Sequence, residues 1–303
     1  MNALAAPFPY FGGKRRAAPL VWQALGDPSG YVEPFAGSAA VLLARPAFTG
    51  RRVETINDAD GWLVNTWRAL QLSPDAVAAH AFGPVIEIDY HARLAWLQER
   101  RTPELVSWLE GDPEAHDAKA AGWWLYVVAC GIGDPFGPGP WRVIDGHLRK
   151  LPHLGDAGQA LAAYLNRIAE RLTRVRITCG SWERVVKPSV TRSGAQGDGS
   201  RAIFLDPPYA TSGDLYAHVD TDVSHAVREW CLTKADPAMR IVLCGYDDEH
   251  AEMEAAGWTV MEGKSGGGAG YSVRADNGRR ERLWMSPACL SMAQQGDLFG
   301  EAS

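Results

Sequence analysis

"YVEPFAGSAAVLLAR", residues 31–45, is followed by "RRVETINDADGWLVNTWRAL", residues 51–70. Tyr31 and Val32 read as a short buried strand. Glu33, Pro34 and Phe35 close it, Gly37 turns the chain, and an apolar helix follows from Ser38. The second stretch repeats the order, with a strand, an acidic turn at Asp58 and a helix. Strand, glycine turn, helix, strand and acid in succession make a βαβ unit of a parallel sheet. A glycine in the first turn lets a ligand approach the backbone, and a carboxylate at the second strand end suits ribose hydroxyls. Any tight βα turn can want a glycine, so more weight falls on Glu33 and Asp58 at two successive strand ends.

Further strands follow downstream. "RVRIT" (174–178), "RAIFL" (201–205) and "RIVLCGY" (240–246) are short apolar runs, the last leading into a helix that ends by Gly257. "WTVMEG" (258–263) and "RERLWMS" (280–286) read as closing strands around "KSGGGAGYS". Between Ser73 and Leu172 the pattern becomes helical. Trp96, Leu97, Leu105, Trp108 and Leu109 form one set and Trp123, Trp124, Leu125, Val127 and Val128 another, and most of these tryptophans read as core. Leu161, Leu165, Ile168 and Leu172 repeat at helical spacing, with Arg167, Arg171 and Arg174 off that stripe. "CGIGDPFGPGPWRVIDG" (130–146) reads as a Gly/Pro-rich loop. The expected fold is α/β, a Rossmann-like catalytic domain over 1–84 and 174–286. A helical target-recognition insert is expected over 85–173 and a tail over 287–303.

The 303 residues are 46% hydrophobic and 22% charged, a soluble globular composition without a run long enough to span a bilayer. The start of the chain lacks the order of a secretory signal. Cys130, Cys179, Cys231, Cys244 and Cys289 form no CxxC pair, so reduced thiols in a cytoplasmic protein and no metal site are expected. Net charge is −6, yet residues 141–201 carry 11 Lys/Arg against 5 acids, leaving −12 for the remainder. An acidic body with a basic middle suits a protein that meets a polyanion on one face. A merely solvated basic face fits the charge equally well.

"FLDPPYAT" (204–211) carries the chemistry. Pro207 and Pro208 stop the strand, since neither offers an N–H to a ladder. Asp206 and the Pro207 carbonyl could accept both hydrogens of an exocyclic amine while Tyr209 stacks on the attached ring. Those bonds would orient the nitrogen lone pair for attack on a methyl donor. The plainer alternative is a strand-ending turn whose aspartate caps the next segment.

Taken with "YFGGK" (10–14), "EPFAGS" (33–38) and "INDAD" (56–60), the run "LDPPY" (205–209) resembles the Dam-type, D12-class DNA adenine-N6 methyltransferases, phage and prophage members especially. The resemblance covers residues 7 to about 84 and about 174 to 286. Through "CGIG" (130–133) and "LPHLG" (151–155) it extends loosely into the insert. It implies S-adenosylmethionine as donor and a flipped-out adenine in double-stranded DNA as acceptor. Tyr10, Gly12, Gly13 and Lys14 would line the cofactor pocket. A phosphate-binding loop does not account for this GGK, because Phe8 and Arg15 stand where Gly and Ser/Thr are required. Glu33, Pro34, Phe35, Gly37 and Ser38 would flank the methionine moiety, Asp58 would hold the ribose, and Asp206 to Tyr209 the target adenine. The family often has an acid where this chain has Ser181.

Tyr216 is a candidate second stacking residue, and Arg142, Arg149 and Lys150 are candidate phosphate contacts. An RNA adenine methyltransferase, or an inactive DNA-binding relic, is the alternative. In the tail, Gln294, Asp297, Leu298 and Phe299 resemble the Gln-x-x-Asp-Leu-Phe peptide that holds the bacterial sliding clamp. The alternative is a tail that folds back or hangs free.

Overall fold

A computed structural model describes residues 4–8, 10, 13–46, 50, 52–84, 86–112, 114–130, 143–144, 147–148, 158–191, 199–208, 223–247, 249–262 and 280–290. In chain order the strands are β1 Gly30–Glu33, β2 Val53–Asp58, β3 Val143–Ile144, β4 His147–Leu148, β5 Val175–Cys179, β6 Arg201–Leu205, β7 Arg240–Tyr246, β8 Thr259–Glu262 and β9 Glu281–Met285. The helices are α1 Ala18–Leu25, α2 Ala40–Leu43, α3 Gly61–Leu72, α4 Pro74–Ala81, α5 Glu87–Arg100, α6 Glu104–Gly111, α7 Ala118–Cys130, α8 Gly158–Leu172, α9 Pro188–Thr191, α10 Val223–Thr233 and α11 Ala251–Ala255.

Seven strands form one mixed, mostly parallel sheet in the order β5-β2-β1-β6-β7-β9-β8. Strands β5, β2, β1, β6 and β7 run parallel, and β9 pairs antiparallel with both β7 and β8. The central strands are apolar on both faces, as strands covered on both sides must be. In β6, Ala202 and Phe204 join a core with Tyr31 and Ile56, while Ile203 and Leu205 join another with Val32 and Leu243. The period-two alternation thus feeds two helical layers. The first face meets α1, α3, α4, α7 and α8, and the second meets α10 and α11. The α/β class is as expected.

The described helices of 85–173 share the first core. Leu94 and Leu97 of α5, Trp124 and Leu125 of α7, and all four residues of the Leu161–Leu172 stripe are buried with Trp62 and Trp67 of α3. Helix α7 crosses α4 at Gly122, where a Cβ would lie 2.5 Å from the His80 Cβ. Trp108, by contrast, is exposed.

Smaller departures have local causes. Helix α2 begins at Ala40, two residues after the expected Ser38, because Gly37 and Ala39 both hold left-handed backbone at φ 46°. Val143 and Ile144, inside the loop expected over 130–146, pair with Leu148 and His147 in the antiparallel β3–β4 ladder. At the tail boundary, Leu290 N–H donates to the Ala24 carbonyl at 2.9 Å, so 287–290 pack on the body. Among the described residues no helix is long and apolar enough to cross a membrane.

Candidate functional site

From β1 the chain winds to β2 and β5 on one side, then returns across to β6 and β7 on the other. Strand order therefore reverses between β1 and β6, and open α/β sheets bind ligands outside the strand carboxyl ends at such a point. A cleft of about 500 Å³ opens there. It is lined by Tyr10, Gly13 and Lys14, by the Glu33–Ser38 turn, by Asp58–Asp60, by Gly180–Glu183, and by Asp206 and Pro208. Segments far apart in sequence thus share one wall.

The turn after β1 is held from three directions. Gly37 N–H donates to Asp58 Oδ2 at 2.9 Å, and the Gly37 carbonyl accepts from the Trp67 indole Nε1 at 2.9 Å. A Cβ at Gly37 would stand 2.6 Å from the Tyr10 ring, so the left-handed φ and the close approach both demand glycine. Asn57 acts as a bracket under the cleft. Its Nδ2 donates to the Pro34 carbonyl at 3.0 Å and the Gly180 carbonyl at 2.9 Å, and its Oδ1 accepts from Thr178 Oγ1 at 2.9 Å. The ends of β1, β2 and β5 are thereby tied together.

Two carboxylates sit at those strand ends. Asp58 accepts Gly37 N–H and, through Oδ1, Asp60 N–H at 2.9 Å. Burial pushes its carboxyl up to about 6 despite those bonds. A carboxylate has about four lone-pair sites, so acceptor capacity remains for a ligand hydroxyl. Glu33 is fully enclosed, its Oε2 accepting from the Tyr31 hydroxyl at 3.1 Å and Leu42 N–H at 3.2 Å. Burial pushes Glu33 up to about 8, and the charges of Asp206 and Glu54 add to the rise.

At the end of β6, Asp206 Oδ1 lies 2.9 Å from Lys14 Nζ, which also lies 2.7 Å from Glu281 Oε1 at the start of β9. Lys14 and Glu281 are almost wholly buried and Asp206 is one-fifth exposed. Burial alone would push the Lys14 amine down. The charges of Asp206 and Glu281, with the Cys244 thiol close by, outweigh that and hold it well above the usual lysine range. On the far side Phe35 and Trp182 stand 6.1 Å apart at 32°, and Trp230 meets Trp182 edge-on at 6.1 Å. Ser181, where an acid is usual in the resembling family, caps the turn beneath Trp182 by accepting Glu183 N–H at 3.3 Å.

Of the expected residues, Tyr10, Gly13, Lys14, Glu33, Pro34, Phe35, Gly37, Ser38, Asp58, Asp206 and Pro208 converge on the cleft. Pro207 is buried beside it. Gly12, Tyr209, Tyr216, Arg142, Arg149, Lys150, Gln294, Asp297, Leu298 and Phe299 lie outside the described residues. Asn57, Trp67, Trp182 and Glu281 were not foreseen. An acid opening the "ERLWM" strand ahead of its apolar Leu-Trp-Met end was the one available signal for Glu281. Comparison of the chain with protein-family models and with curated proteins gives no match.

Proposed function

We propose that the protein is an S-adenosylmethionine-dependent DNA adenine-N6 methyltransferase. The observation that carries this reading is the convergence of Tyr10, Gly13 and Lys14, of the Glu33–Ser38 turn, of Asp58–Asp60 and of Asp206 and Pro208 on one cleft at the strand-order reversal. The residues fit the donor's parts. The Gly37 turn, against which the Tyr10 ring packs, borders the cleft, Asp58 can accept ribose hydroxyls, and Phe35 with Trp182 offers an aromatic wall of two rings tilted at 32°. Bound there, the donor supplies a methyl group carried on a sulfonium, a good leaving group. A cleft with Glu33, Asp58 and Asp206 on its walls suits that cation.

On the acceptor side, Asp206 and the Pro207 carbonyl accept the two hydrogens of the adenine amine. Density shifts onto nitrogen, the lone pair turns toward the methyl carbon, and the surplus proton leaves to the Asp206 carboxylate and solvent. Alignment of the two reactants supplies most of the acceleration. The base must leave the duplex to reach the cleft, at an unstacking cost of roughly a few kcal/mol that ring stacking offsets.

The test is transfer of labelled methyl from S-adenosylmethionine to adenine-containing duplex DNA, with structured RNA in parallel. Label at adenine N6 of the duplex is the expected result. Label in RNA alone would move the substrate to RNA, and no label in either would overturn the activity.

A further inference from the structure

We infer that Glu281 is a positioning residue for Asp206, acting through Lys14. This rests on the methyl-transfer reading and extends it to a residue from the last strand of the sheet. Three side chains from distant parts of the chain meet in a row. Asp206 follows directly on β6, Lys14 lies ahead of α1, and Glu281 opens β9. The distances are 2.9 Å and 2.7 Å, and the two inner members are almost fully removed from water.

A lone Lys14–Asp206 contact would be a neutral pair, with the ammonium drawing acceptor strength away from the carboxylate that must receive the amine hydrogens. The second carboxylate divides the ammonium's attraction and leaves the row with one net negative charge. Asp206 thus keeps its orientation from Lys14 and its acceptor strength because of Glu281. Burial sharpens the effect, since charges out of water are poorly screened. Strand β9 also supplies the rigidity, because Glu281 is paired in register with Tyr246 of β7. A carboxylate held by a strand fixes the lysine, and the lysine fixes the carboxylate at the cleft.

The experiment compares the whole protein with Glu281→Gln, Lys14→Met and the double variant. Methyl transfer to duplex DNA and the titration of the Lys14 ammonium by nitrogen-15 NMR are both followed, with thermal melts to verify folding. Glu281→Gln is expected to lower kcat tenfold or more while KM for S-adenosylmethionine stays within about threefold. It should also move the Lys14 titration down, because one of the two carboxylates paired with Nζ would then be gone and only the Asp206 ion pair of that row would remain. In the Lys14→Met background the Glu281 change should have no further effect on kcat. Active wild type with an unchanged kcat in Glu281→Gln, additive losses in the double variant, or an unmoved Lys14 titration would each overturn the inference and leave the activity standing. A wild type that transfers no methyl group would bring down the activity, and this role for Glu281 with it.

Discussion

Trp67 donates its indole N–H to the carbonyl oxygen of Gly37 at 2.9 Å, so a helix beneath the sheet fixes the turn that borders the cleft. Both partners are buried, and the ring packs 5.4 Å from Phe8. Trp67→Phe keeps most of the apolar contact and removes the donor, leaving a buried carbonyl unsatisfied. The expected cost is about 1–3 kcal/mol in urea unfolding. On the proposed function, a five- to tenfold weaker affinity for S-adenosylmethionine should accompany it by calorimetry. Full affinity would show that the turn holds its shape without the indole.

That contact also shows where the sequence stopped being legible. The strands could be read because burial on both faces leaves continuous apolar runs, and "RAIFL" and "RIVLCGY" match β6 and β7 to the residue. The cleft acids could be read because a carboxylate just past an apolar run stands out. Trp67 and Asn57 could not, since each reaches backbone groups across 23 to 123 residues and leaves no local pattern. Helix α2 was placed early because no propensity reports the left-handed φ at Ala39. Charge counting has its own blind spot. Two arginines of the basic surplus lie in internal pairs, Arg171 with Glu54 at 2.6 Å and Arg201 with Asp236 at 2.8 Å.

Asp58 joins two loops through its two oxygens, and on the proposed function it also receives the ribose. Asp58→Asn retains one acceptor oxygen and gives up the charge, so one of the backbone bonds to Gly37 or Asp60 must go. A ribose contact is the same in ground and transition states. KM for S-adenosylmethionine should therefore rise at least tenfold while kcat at saturation stays within about threefold. Steady-state kinetics decide it, and an unchanged KM would reduce Asp58 to a loop-capping aspartate.

On the proposed function Asp206 contributes differently, since its partner would be the reacting amine. Asp206→Ala should then abolish methyl transfer and leave S-adenosylmethionine binding largely intact, because the cleft wall assigned to the cofactor by that proposal is built mainly by the β1 and β2 turns. The comparison is single-turnover transfer against calorimetric affinity for the same variant. Near-normal turnover would end the proposed mechanism.

His250 sets an acid limit on stability. It is fully buried, its ring edge-on to Trp284 at 4.9 Å. Burial, with the charge of Arg228 nearby, pushes it from the ordinary 6.5 down to about 4. Between those values the unfolded chain binds a proton that the folded protein refuses, so stability is full above pH 6.5 and falls as pH drops toward 4. The loss attributable to this one group is about 3 kcal/mol. His250→Gln should be less stable than wild type at pH 7.5 by its lost packing, yet lose distinctly less on acidification to pH 4.5. Parallel stability curves for the two proteins would place the acid sensitivity elsewhere.

Glu33 points the other way, and it ties proton balance to the ligand. With its carboxyl pushed up to about 8, most molecules carry the proton at pH 7. The unfolded carboxyl titrates near 4.5, so the stability from protonated Glu33 is complete below that pH and drains away as pH rises through 8. Glu33→Gln should remove that decline between pH 4.5 and pH 8. A cation bound in the cleft favours the ionised carboxylate, so S-adenosylmethionine should displace the proton. Its affinity should then climb from pH 6 to pH 8, by at most about tenfold per unit, and level off above. Calorimetry in buffers of different ionisation enthalpy would register a proton released near pH 7. In Glu33→Gln the pH slope above pH 7 and the proton release near pH 7 should vanish, leaving only the smaller rise near pH 6 that Asp58, pushed up to about 6, would contribute. If the wild type binds its donor equally well across that range with no proton exchanged, Glu33 does not sense the cation.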